Sequence, residues 1–363
     1  MHTTVPSWVD RVPQNLGAAN HGSLKAAEWL ILYKLYYTIA LIPLWTKPDN
    51  GSDNEQERTR VSSLLQSTTL LSKIAQFLTL PMIKSKDLSE LDDLLMSYRK
   101  CLQDNWPHEP SKPNLHLTQH YPEVILRFGP PRSTAAWAQE RVNGILHEKI
   151  PTNCHCDKIP KTILTKWHVN SNFQILLDTQ ARDDQLHIAA GKEYNDKEEG
   201  IELDAPLLNR WKRAVAGKVT SRGKIGSDQP ALSPNVVSQK AFEINRKRYT
   251  TCKSHKGNSL VEFFLGKDQR FGEIESIFIS GQIEGKTWVI VKPFKEVQRN
   301  EDPYQEYPDL NCRLVRADWE AVVVIDTESI IGHAAMLKHQ SGTFGITTET
   351  ISAVGLGTSV STA

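Results

Sequence analysis

The sequence predicts an α+β protein of two domains, a mainly helical domain over residues 1–177 and a small antiparallel β-barrel over residues 259–339. Three observations predict it. Apolar residues recur at helical spacing up to Leu177, which is the pattern of helices that each bury one face. From Leu260 to Asp326 the apolar residues instead come in short runs rich in Val, Ile, Phe and Trp, broken by Gly, Pro, Asn and Asp, which is the signature of strands and turns. Between them the charge is blocked rather than mixed. Residues 178–204 carry nine acidic against three basic side chains, and residues 210–256 carry twelve basic against two acidic. Such a polyampholyte predicts a charged, largely disordered linker over 178–258, and the Ser-, Thr- and Gly-rich stretch 340–363 predicts a disordered tail.

Each element follows from local chemistry. Residues 1–22, with Pro6, Pro13, Gly17 and Gly22, read as a turn-rich connection. Ser23 is a plausible N-cap for a helix from Leu24 to Leu44, and Asn54–Leu80 forms a second, with Val61, Leu64, Leu65, Leu71, Ile74 and Phe77 on one side. Ser85–Cys101 is a third. Its Leu88, Leu91, Leu94, Leu95 and Tyr98 mark the buried face, and Asp87, Glu90 and Asp92 favour its positive end. A further helix is expected near Lys161–Leu177. The strands are expected at Leu260–Leu265, Gly272–Ile279, Thr287–Pro293, Arg313–Arg316 and Ala321–Asp326.

Composition sets the functional bounds. Of 363 residues, 39 % are hydrophobic and 23 % charged, which suits a soluble protein with a sizeable core. The five cysteines, an odd number with only Cys154 and Cys156 close together, argue against a disulfide framework and for a reducing compartment. The first fifteen residues lack the apolar run of a secretory signal. Trp29–Trp45 is apolar and flanked by aromatics, but it holds Lys34 and Pro43, so we expect a buried helix and no membrane partner.

The densest group of chemical residues lies between Lys112 and Asn153. His116 and His120 are four apart and share a helical face. Phe128-Gly129-Pro130-Pro131 then breaks the chain, and a helix follows with Trp137, Glu140, Arg141, Asn143 and Gly144. This order resembles the region that closes the transposase domain of CACTA (En/Spm-type) DNA transposons, in which a histidine-bearing helix, a Gly-Pro turn, a tryptophan and a Glu-Arg-x-x-Gly helix succeed one another. Leu24–Trp29 and Ile39–Trp45 are similar to the tail of the same transposases, so the likeness spans about residues 5–165. Trp288-Val289, Asp302-Pro303-Tyr304 and Ile330-Ile331-Gly332-His333 resemble their C-terminal module, and the strand-rich part is also similar to SH3-like and bromo-adjacent-homology barrels.

The resemblance implies that the helical domain is a remnant flanking an RNase H-like core. Such cores cut phosphodiesters with two divalent metals held by three carboxylates. Glu140 is the residue most similar to the third, helix-borne acid, and the alternative is a surface ion pair with Arg141. The family's first two aspartates would lie upstream of Met1, so we expect the chain not to be an enzyme. It would need no cofactor, with Mg²⁺ or Mn²⁺ relevant only to a complete core.

Zinc is the weaker reading of Cys154-His155-Cys156 with His147 or His168, because structural zinc ligands are paired two to four residues apart; we expect no metal site. Arg210, Lys212, Arg213, Lys218, Arg222, Lys224, Arg246, Lys247 and Arg248, interleaved with Trp211 and Tyr249, are candidate DNA contacts, and Arg246–Arg248 also suits a nuclear localisation signal. The barrel's Trp288, Phe294, Tyr304, Tyr307 and Trp319 could line a peptide groove, or simply fill the core; His333 reads as a strand end. The expected function is therefore a transposable-element-derived nuclear protein (otherwise cytoplasmic) that associates with DNA or chromatin. The alternative is a scaffold or regulatory protein that uses the barrel for protein contacts.

Overall fold

The structure is a computed structural model that describes residues 3–12, 24–46, 55–110, 112–134, 200–222, 232–245, 247–283 and 285–357, together with 16, 18, 144, 160–169, 171–173 and 175–176. It is a mixed protein with a helical N-terminal region and an antiparallel C-terminal sheet. The chain divides into two units, one made of residues 1–130 and 198–363, the other of 131–197. The helices up to Phe128 and the sheet thus fall in one unit.

The helices follow the sequence reading closely. α1 (Ala26–Ile31) runs through a five-residue π-turn (Leu32–Tyr36) into α2 (Tyr37–Trp45), and α3 (Glu55–Leu78) and α4 (Leu88–Asn105) follow. After these come α5 (Pro113–Leu117) and α6 (Tyr121–Phe128), the latter stopped by Gly129 at a positive φ of 85°. Leu91 and Leu95 of α4 are buried with Ile74 and Phe77 of α3 and Ile125 of α6, as their spacing dictates. The apolar helix lays one face on the sheet: Leu35, Ile39 and Ile42 pack against Leu314, Ala335, Leu337 and Val354, and the Lys34 ammonium donates to Thr79 Oγ1 at 3.0 Å.

The sheet is larger than the sequence suggests. Its strands are β1 (Thr3–Thr4), β2 (Gly200–Glu202), β3 (Asn235–Gln239), β4 (Ala241–Ile244), β5 (Lys247–Thr250), β6 (Leu260–Leu265), β7 (Asp268–Ile279), β8 (Thr287–Glu296), β9 (Cys312–Trp319), β10 (Val323–Asp326), β11 (Ile330–His339) and β12 (Thr350–Gly355). Two more helices belong here, α7 (Ala205–Arg222) and the one-turn α8 (Lys256–Ser259). Pairing runs in a circuit: β6 with β7, β7 with β8, β8 with β9, β9 with β12, β12 with β11, and β11 with β6. Every one of these pairings is antiparallel. Leu260, Phe271, Phe294, Val315, Ala334, Met336 and Ala353 meet in one cluster to which all six strands contribute, so this is the inner face of the circuit. The alternate residues form two outer faces, one covered by α2 and one by the β4–β5 hairpin.

Four expectations are corrected. The stretch read as a disordered linker holds β2, α7, β3, β4 and β5, because Trp211, Val236 and Tyr249 bury among strands distant in sequence and anchor an otherwise polar segment. Its acidic first part, 178–199, lies outside the described residues. The tail read as disordered supplies β12, whose Thr350, Ile351, Ser352, Ala353 and Val354 are all buried, since two neighbouring strands satisfy its backbone. Ile330–His333 opens a ten-residue strand instead of ending one. The first residues are no mere connection either, for β1 pairs with β11.

Candidate functional site

The residues that the motif reading selected divide sharply. Trp137, Glu140, Arg141 and Asn143 lie outside the described residues, as do Cys154, His155 and Cys156. His116 and His120 are both exposed and meet edge to face with ring centroids 5.3 Å apart, as a spacing of four allows. No carboxylate is bonded to either ring among the interactions of the described residues. Nor do three or more His, Cys, Asp or Glu residues gather anywhere among them in a metal-holding group.

The basic residues are placed on two surfaces. Trp211 is fully buried against Phe278 and Trp288, with ring centroids 5.5 and 6.0 Å away, so it anchors α7 and is not available to stack on a base. Around that anchor Lys212 and Arg213 are exposed and Arg210 is half-buried. The side chains of Lys218 and Arg222, and the whole of Lys224 and Arg246, lie outside the described residues. Arg248 is exposed on β5, and the Lys247 ammonium sits 3.9 Å from the centre of the Trp8 ring. α7 packs on Phe278, Trp288, Ile290 and Val324, whereas the β4–β5 hairpin packs on Ile277, Val289, Val291 and Ile325. Neighbouring strand residues point to opposite sides of a sheet, so Arg210, Lys212 and Arg213 lie across the sheet from Lys247 and Arg248. They do not form one groove.

Of the aromatics proposed for a peptide groove, Trp288, Phe294 and Tyr304 are core residues. Trp319 is partly exposed and stacks on Phe294 with centroids 4.3 Å apart. A shallow cleft of about 630 Å³ opens between the start of α3 and the end of α4, lined by Glu55, Arg60, Ser63, Asp104, Asn105 and Trp106.

Two buried polar sites lie elsewhere, one on Glu262, which the sequence did not single out, and one on His333, which it read only as a strand end. Glu262 projects from β6 onto the inner face and is wholly buried. Its carboxylate accepts hydrogen bonds from the Gln269 carboxamide and from Asn311 Nδ2 at 3.2 Å, while Gln269 also donates to Asn311 Oδ1 at 2.6 Å. Burial raises its pKa from the usual 4.5 to about 7, opposed by those two amides and by the nearby Arg313. Gly355 leaves room for it, because a Cβ there would overlap Glu262 Oε2 and Asn311 Nδ2. Asn311 has a left-handed φ of 52° where it closes the short helix Pro308–Leu310. An acid in the apolar run Leu-Val-Glu-Phe-Phe-Leu is the one sequence signal that could have found this site.

The second site is built on His333, also wholly buried. The Trp8 indole N–H donates to His333 Nδ1 at 3.2 Å, which puts the ring proton on Nε2 and keeps the imidazole neutral. Tyr249 stacks flat on the imidazole with centroids 3.8 Å apart, and Phe242 stacks on Tyr249 at 5.0 Å. Burial and then the Lys247 charge push the His333 pKa down to about 4. Among the described residues no carboxylate is bonded to the ring. No family model, no curated protein and no solved structure matches this chain.

Proposed function

We propose that this chain is a non-catalytic, transposable-element-derived protein, the C-terminal part of a CACTA-type transposase or a descendant of one, that associates with DNA or chromatin in the nucleus. The motif order from His116 through Glu140-Arg141 to Asn153 supports the ancestry. The six-strand circuit with its shared inner cluster supports reading the C-terminal part as a small barrel of the SH3 or bromo-adjacent-homology kind. One observation carries the nucleic-acid role: α7 is fixed to the sheet by a fully buried Trp211, so Lys212 and Arg213 project from a rigid base at the start of a run of six basic residues. Clustered cations on such a base attract phosphates, and binding that releases counterions weakens steeply with salt.

Fluorescence anisotropy with a labelled duplex tests this. The full chain is expected to bind at low salt and to lose affinity between about 50 and about 200 mM, and replacing Lys212 and Arg213 with Ala is expected to lower the logarithmic salt slope by about two. Absence of binding at low salt overturns the reading. Nicking of DNA with Mg²⁺ or Mn²⁺ that disappears on Glu140→Gln would overturn the non-catalytic part.

A second reading, a scaffold that uses the sheet for protein contacts, is favoured by the separation of the basic residues onto two surfaces.

A further inference from the structure

Residues 3–9 lie along the sheet as a bound peptide lies on a receptor. Thr3 and Thr4 pair with Leu337 and Met336, beyond the point where β6 stops pairing with β11. Val5 enters the core under α2. Ser7 and Asn258 exchange two hydrogen bonds, backbone N–H to Oδ1 at 2.8 Å and Nδ2 to Oγ at 3.0 Å. Trp8 bonds His333 and carries Lys247 on its ring. The receiving surface is shaped for this backbone: a Cβ on Gly257 would overlap the Val5 carbonyl.

Two features separate this strap from an ordinary strand. None of the six pairings of the circuit involves it, and β11 keeps β12 and β6 as neighbours without it. Its Trp8, which makes the contacts to His333 and Lys247, stays 42 % exposed even though Val5 and Pro6 are buried. Recognition through a strand edge together with pockets for alternate side chains is a recurring way to bind extended peptides.

We infer that the groove between β11, α8 and the β4–β5 hairpin is a docking site for an extended peptide of the pattern Val-Pro-Ser-Trp, in which the first two side chains are buried, occupied in this chain by its own residues 5–8. The strap acts as an intramolecular competitor: a strand from another polypeptide must displace it. The inference goes beyond the nucleic-acid reading and does not rest on it.

The test uses the full chain with Trp8→Ala, which weakens the internal strap, and a fluorescein-labelled peptide of residues 1–12. Saturable anisotropy is expected with this variant, at least about tenfold weaker binding with the wild-type chain, where the tethered strap competes at high effective concentration, and comparable weakening when Gly257→Ala is added to Trp8→Ala. An unlabelled peptide carrying Trp8→Ala is expected not to compete. Failure of the peptide to bind a Trp8→Ala chain that still melts cooperatively overturns the proposal, and so does binding that is indifferent to Gly257→Ala. If Trp8→Ala prevents folding, the strap is an integral strand and the proposal also fails.

Discussion

Glu262 makes stability depend on pH through a single buried side chain. Below its ordinary pKa of 4.5 the carboxyl is protonated whether the chain is folded or not; between 4.5 and about 7 the folded chain holds a proton that the unfolded chain releases. Stability contributed by this group therefore falls as pH rises through that window, and a shift of this size corresponds to something on the order of 3 kcal/mol. Glu262→Gln keeps the size and can still reach Asn311, so it is expected to stabilise the protein at pH 8 by up to that amount and to have little effect at pH 4, as urea unfolding at the two pH values would show. Gly355→Ala is expected to cost about 1–3 kcal/mol, because the methyl must share space with Glu262 Oε2. Unchanged denaturation midpoints for the alanine variant would mean that the carboxylate has room to move. Sequence marks Glu262 only as an acid in an apolar run. That Gln269, Asn311 and Arg313 would surround it follows from strand register, which no local pattern contains.

Among the elements, the helices were legible because each buries a stripe that repeats every three or four residues: Leu91 and Leu95 lie in the core where their spacing puts them. α7 was not. Its Trp211 is flanked by Arg210, Lys212 and Arg213, and this mixture reads as a solvated basic tract until Phe278 and Trp288 supply the other half of its environment. Trp211→Ala is expected to destabilise the chain by about 3–5 kcal/mol, a core-sized loss, measurable by thermal or chemical denaturation; an effect under 1 kcal/mol would show that the helix is only loosely attached. β12 was missed for a related reason. Thr-Ile-Ser-Ala-Val-Gly is too small and mixed to signal a strand, yet β9 and β11 bond it on both edges and bury it throughout.

For the whole molecule, the two buried sites oppose each other as acid is added. His333 has its pKa lowered from 6.5 to about 4, so between those values the unfolded chain takes a proton that the folded chain refuses, and its contribution to stability is lost as pH falls through that range. The Glu262 contribution grows over much of the same interval. Comparing each variant with the wild type by urea unfolding, the advantage of Glu262→Gln is expected to shrink as pH falls from 7 to 4.5, while His333→Asn is expected to remove an acid sensitivity between 6.5 and 4; parallel pH profiles for wild type and His333→Asn would exclude the buried neutral imidazole. The helices of the first 105 residues, the strands from Leu260 to Asp326 and the charge blocks between them could be read from local pattern, because periodicity, turn residues and charge are local properties. It took the folded chain to show that α2 shares a core with the sheet, that the basic residues part onto opposite sides of the sheet, and that residues 3–9 lie on β11 beside His333. These depend on burial and register between segments as much as 325 residues apart, where the free energy belongs to the contact and not to either segment alone.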